Sequence, residues 1–221
     1  MLFSFRVALP DRPGALAQLT ALIAARSIDV REVDVLGGKM TEAVDHFLLD
    51  GESSHVDALA AELRAGCVFT VLGIRRAGIT RDYLPELAVV QAVIKEPDRA
   101  LTIITHAAPR LLDADWSVSF EVGLSYPRAR TPTAPDVGWV GRVPMRSSRV
   151  ADAGMFTLPE GARATLATAP IQNFGVVLLG RNDEMPFHDT EILRLQQLMT
   201  TIDTVITATA APTTKPISAA S

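Results

Sequence analysis

The sequence predicts an α+β protein of two small domains, the first a βαββαβ unit and the second a mixture of helices and strands. Three observations predict it. The chain has 221 residues, 48% hydrophobic and 21% charged, the size and composition of two ordinary globular domains. Over residues 1–78 apolar positions switch repeatedly between a period of two and helical spacing. Near residues 75–81 the strand pattern stops and a helical one begins.

Residues 2–9 place Phe3, Phe5, Val7 and Leu9 on one face and Ser4 and Arg6 on the other, the pattern of a half-buried strand that Pro10 ends. Ala15, Leu16, Leu19, Leu22 and Ile23 then recur at helical spacing. Pro13 stands where a first-turn proline is tolerated, and Asp11 is near enough to act at the helix start. In residues 28–35 the apolar positions change face between Arg31 and Glu32, which predicts a bulged strand. Gly37 and Gly38 turn the chain into a third strand over 43–49, closed by Asp50 and Gly51. Val56, Leu59, Ala60 and Leu63 mark a second helix, Gly66 a helix stop, and residues 68–74 a fourth strand. This order is that of the ferredoxin-like fold, two helices over a four-stranded antiparallel sheet.

The second domain, residues 82–208, opens with two helices separated at Glu96 and Pro97, one carrying Leu84, Leu87 and Ile94 and the next Leu101, Ile104 and Leu111. Residues 117–122 alternate as a strand. Residues 125–136, rich in proline, threonine and arginine, predict an extended surface loop. Strands are predicted at 162–169 and 174–179 and a long amphipathic helix at 188–206. From Thr207 onward the residues are almost all Ala, Thr, Pro and Ser, so 209–221 is expected to be a disordered tail.

Charge and composition exclude several function classes. The net charge of −4 divides evenly between the halves, and neither carries the cationic surface that phosphate neutralisation requires, so nucleic acid is not an expected partner. The longest apolar stretches fall short of a membrane span, and Arg6, Asp11 and Arg12 interrupt any leader-like core. A cytoplasmic protein with no membrane partner is expected. Cys67, the single cysteine, lies beside Val68 and Phe69 and reads as a buried, inert thiol. His46, His55, His106 and His188 show no zinc-binding spacing, and His46 alternates with Val44 and Leu48 as a half-buried structural histidine. No nucleophile elbow, P-loop or dinucleotide fingerprint is present. No metal, cofactor or enzymatic activity is expected.

Asp11-Arg12-Pro13-Gly14-Ala15-Leu16-Ala17, continued through Leu22-Ile23-Ala24 to Ser27-Ile28-Asp29-Val30, resembles the first half of the ACT family pattern, "DRPG, a helix, then G-I-N-I". The motif also has a physical reason. A helix start offers unpaired N–H groups and the positive end of a dipole, so a carboxylate can dock there, and Gly14 keeps the approach free of a side chain. An amino acid's ammonium group needs an acceptor, for which Asp11 and Asp29 are candidates. The resemblance implies a ligand-binding set of Asp11, Arg12, Pro13, Gly14, Ala15, Leu16 and Asp29, with ligands held between this loop and the second strand of a neighbouring copy in a homodimer. Asp29 stands where the family has Asn, and Ser27 where it has Gly. The same four residues, Asp-Arg-Pro-Gly, also make a good turn and helix start with no ligand at all.

Residues 84–205 resemble a GAF domain, an α/β module with an antiparallel sheet. The resemblance rests on Ala107 to Trp116, Gly138 to Val143, Leu158 to Leu166, Phe174 to Gly180 and Phe187 to Leu195. It implies a pocket near Trp116, Phe120, Trp139 and Phe156. Together the two resemblances imply a small-molecule sensor, most naturally for an amino acid, that acts through dimerisation and an unidentified partner protein. The alternatives are a dimerising scaffold with empty modules and an unrecognised enzyme, for instance one in which Asp115 and Glu121 meet in space.

Overall fold

In a computed structural model of the chain, the described residues are 1–37, 42–77, 85–123, 126–136, 152–157, 163–182 and 185–210. The chain divides into two compact units, Met1–Arg81 with Asp183–Thr190, and Asp82–Asn182 with Glu191–Ser221.

The first unit contains β1 (Leu2–Pro10), α1 (Ala15–Ala24), β2 (Asp29–Gly37), β3 (Glu42–Asp50), α2 (Ser53–Ala65) and β4 (Thr70–Arg76). Its antiparallel sheet has the order β2-β3-β1-β4, which is the ferredoxin-like arrangement. Phe3, Phe5, Val7 and Leu9 are buried with Leu19 and Ile23 of α1 and Val56, Leu59 and Leu63 of α2 in one core. The face change expected in the second strand is real: the pairing passes from Val30 opposite Leu49 to Glu32 opposite Leu48, leaving Arg31 as the bulge.

Because β3 lies between β1 and β2, the α1 crossover passes over β3, and by the same reasoning α2 passes over β1. The register sets Pro10 opposite Glu42, so the connection to α1 leaves from the Glu42–Asp45 end of β3. The other face of β1 is covered too. Arg6 is buried and donates from Nη1 to the Pro186 carbonyl at 2.6 Å. A Cβ on Gly73 would come within 2.9 Å of the Met185 side chain. Residues 185–187 thus lie on this sheet, although the sequence reading places them in the second domain.

The second unit contains α3 (Pro85–Lys95), a 3-10 turn at Pro97–Arg99, α4 (Ala100–Leu111), β5 (Trp116–Glu121), β6 (Pro127–Arg130), β7 (Asp152–Thr157), β8 (Arg163–Ile171), β9 (Gly175–Arg181) and α5 (Asp189–Ala210). The five strands form one antiparallel sheet in the order β6-β5-β9-β8-β7. Both faces of β5 are buried. Trp116, Val118 and Phe120 join an apolar cluster with Leu166 and Leu178. Ser117 and Ser119 instead bond α4, through the Thr105 carbonyl and the Thr105 hydroxyl respectively.

Several expectations need correction. Residues 127–130 form a strand where a loop was expected, because an edge strand tolerates Pro127 at its start and its pairing with β5 supplies what the polar sequence does not advertise. β7 has no counterpart in the sequence reading. α5 runs to Ala210, four residues past the expected helix end and two into the expected tail: Ile206 is buried, and the Thr204 and Thr209 hydroxyls bond carbonyls four residues back. Residues 211–221 lie outside the described residues, as do Trp139 and the segments 138–143 and 158–162. Cys67, expected to be buried, is exposed, because it lies in the bend at 66–68 that follows α2.

A buried ion pair ties this second unit together. Arg181 of β9 is 0% exposed; its Nη2 donates to Glu191 of α5 at 2.6 Å and to the Leu112 carbonyl at 2.6 Å, while Nε donates to the Asp113 carbonyl at 3.1 Å. The guanidinium therefore also sits at the negative end of the α4 dipole. Removing one partner strands the other charge in a dry site. Arg181→Met is expected to cost about 3–5 kcal/mol, and Arg181→Met with Glu191→Leu to recover most of that loss, as read from urea unfolding.

Candidate functional site

The Asp11–Leu16 corner is built by the end of β1 and the start of α1. Asp11, Arg12, Pro13 and Gly14 are exposed, Ala15 is buried and Leu16 is 39% exposed. Gly14 caps the helix in the left-handed region with φ 88, and no side chain caps it, so Asp11 does not play the capping role its position suggested. A Cβ on Gly14 would meet nothing within 4 Å, so backbone conformation, not room, requires glycine there. Ala15 N–H bonds the Arg12 carbonyl at 3.2 Å and Gln18 N–H the Gly14 carbonyl at 3.0 Å. Between them, the Leu16 and Ala17 N–H groups have no backbone acceptor. They are the donors a carboxylate would use.

Asp29 does not join this corner within one chain. It pairs with Asp50, which pairs with Leu2, whereas Pro10 and the corner are at the other end of β1. Eight residues of strand at about 3.4 Å each separate them by roughly 27 Å. Asp29 lies 3.4 Å from Arg31, which also bonds Asp50 at 2.7 Å. That bond, followed by one from the terminal ammonium, holds the Asp50 carboxyl below its usual range.

Sequence reasoning missed Asp45. It lies opposite Val7 and Val35, on the helix-facing side of β3, and is 3% exposed. Its Oδ1 has no hydrogen-bond partner. The signal was present in the sequence: Ala43, Asp45, Phe47 and Leu49 share a face, and only Asp45 is polar. Burial pushes its carboxyl above the ordinary aspartate range. On the opposite face, His46, expected to be half-buried, is buried, and its ring lies 2.7 Å from the Ser4 hydroxyl in a hydrogen bond.

The second unit has a cleft of ≈ 480 Å³ between the start of α4, the end of β5 and the last turns of α5. Leu101, Val122, Phe174 and Ile206 give it apolar walls, and Asp98, Glu121 and Arg128 its charge. This is not where the sequence placed a pocket. Trp116 and Phe120 are core residues; the Trp116 ring packs so closely on Gly180 that a Cβ there would be 2.1 Å away, and its Nε1 donates to Asn182 at 2.9 Å. Trp139 and the Phe156 side chain lie outside the described residues. Asp115 and Glu121 flank β5 at opposite ends and do not form an acid-base pair. Among the described residues, no group of three or more His, Cys, Asp or Glu side chains is placed to hold a metal, and no helix is long and apolar enough to cross a membrane.

No protein-family model and no curated protein matches the chain. Among solved structures it aligns with an unknown protein from Galdieria sulphuraria (12% identity, TM-score 0.29, covering 94% of this chain and 92% of that one). A second is described as a glycine cleavage system transcriptional repressor (14%, TM-score 0.33, covering 94% and 91%). A third is formyltetrahydrofolate deformylase from Burkholderia mallei (14%, TM-score 0.34, covering 95% and 94%). Scores this low do not establish a common fold; the fold stands on the strand order and register above.

Two substitutions probe the corner. Gly14→Ala, forced into the left-handed region, is expected to cost about 1–2 kcal/mol in thermal unfolding. For Asp45, the raised value means that the folded state holds the proton more tightly than the unfolded chain. Stability therefore falls as pH rises from the ordinary carboxylate range through the raised value. Asp45→Asn is expected to gain about 1–3 kcal/mol near neutral pH and to lose that advantage below the ordinary carboxylate range, as read from urea titrations at both pH values.

Proposed function

We propose that the protein is a small-molecule-binding regulatory protein whose first unit is an ACT-type receptor for an amino acid. The observation that carries this reading is the start of α1, opened by Gly14, uncapped by any side chain, and presenting two N–H groups without acceptors. The ligand's carboxylate docks on those groups. Asp29 is too far away to contribute from the same chain, so the complete site is shared, with Asp29 supplied by a second copy. β2 suits such an assembly. It is an edge strand, and Val35 on it is 68% exposed, an unprotected edge of the kind that invites pairing.

The second unit acts as a GAF-like module, a reading supported by its five-stranded antiparallel sheet with helices and by its apolar cleft. Neither unit is assigned a chemical step, so ligand occupancy is passed on through a partner protein. Such signalling requires the ligand to bind two arrangements of the assembly with different affinity. A second reading, a scaffold that dimerises without ligand, draws on the pairing of Asp29 with Arg31, which occupies one proposed ligand group.

Calorimetric titration of the full chain with each of the twenty amino acids separates the two. A ligand of the folded state at 100 times its dissociation constant is expected to add about 2.7 kcal/mol of stability. Silence from all twenty, confirmed by equilibrium dialysis, together with a dimer in sedimentation, establishes the scaffold instead.

A further inference from the structure

We propose that Asp45 receives the ammonium group of the amino acid whose carboxylate docks at the start of α1. This rests on the reading of α1 as a ligand site and adds to it the residue that makes the site selective for a zwitterion.

The argument joins two independent observations. The first is the uncapped start of α1, which supplies donors for an anion. The second is a carboxylate that is 97% buried by its 3% exposure and has an oxygen without a partner. Topology brings them together. α1 crosses over β3, its first residue comes five positions after the end of β1 at Pro10, and Asp45 lies on the helix-facing side of β3 two pairs inward from Leu9 and Ala43. Asp45 therefore sits on the face of the sheet that α1 covers, at the end from which the connection to α1 leaves, between Val7 and Val35, where a sheet residue of an ordinary core is apolar.

A buried carboxylate costs stability unless a cation or hydrogen-bond donors meet it. No cation of the described residues pairs with Asp45. An ammonium group supplies both the charge and the donors. The two carboxylates named from the sequence are less suited, since Asp11 is exposed and Asp29 lies at the far end of the sheet. Retaining an uncompensated charge at a ligand site is the usual form of a trade between stability and binding.

The test is calorimetry on the wild-type chain, Asp45→Asn and Asp45→Ser, with circular dichroism confirming that each variant is folded. The probes are the twenty free amino acids and, for any that bind, the N-acetyl derivatives, which keep the carboxylate and lose the cation. The wild-type protein is expected to prefer the free amino acid over its N-acetyl form by about 10-fold or more. Both variants are expected to lose that preference by weakening the free amino acid alone. If free amino acids bind the variants as well as the wild type with the preference intact, Asp45 is not the acceptor, although the corner remains an amino-acid site. If no amino acid binds the wild type, both readings fall.

Discussion

The pairing of β1 with β3 is the constraint on which the first unit depends. It runs the full nine residues of each strand and places Phe5 against Phe47 and Phe3 against Leu49, so the aromatic centre of the core is set by register. A slip of β1 by one residue against β3 would send Ser4 and Arg6 into that core and Phe3 and Phe5 out of it. The same pairing interposes β3 between the strands that α1 connects. Everything proposed for the corner, including the position of Asp45 beneath the helix, follows from that insertion.

β1 is buried on both faces, and the two faces are satisfied by different means. The helix side is apolar, with transfer of side chains from water as its driving force. The other side holds Arg6, Ser4 and His46, polar groups that require specific partners: the Pro186 carbonyl for Arg6, and each other for Ser4 and His46. The second unit repeats the theme in β5. Its Trp116 face is apolar, whereas its serine face is bonded to Thr105 of α4, so this helix is held at one rotation and one height by hydrogen bonds as well as by packing. Arg181 then links the end of α4 to α5 through a pair that stabilises mainly by leaving no buried charge alone.

The first unit's elements were legible in the sequence because each carries a local signal. Alternation announces β1, helical spacing announces α1 and α2, and the face change at Arg31 announces a bulge. β6 was not legible, since an exposed edge strand has no apolar face to display, and Pro127 there resembles a turn. The last turns of α5 were hidden for a related reason: threonines with low helix propensity are held by backbone bonds from their own hydroxyls once Ile206 is buried.

By itself, the sequence determined the order of elements in the first unit and the glycine-opened helix start, because both depend on residues close together in the chain. Only the tertiary structure decided which site residues are neighbours. Strand register separates Asp29 from Asp11 by the length of the sheet and brings Asp45, distant in sequence, to the helix-facing side near the end of β1 from which α1 follows. A partner for a charge is a matter of distance across strands, and no local pattern encodes that distance.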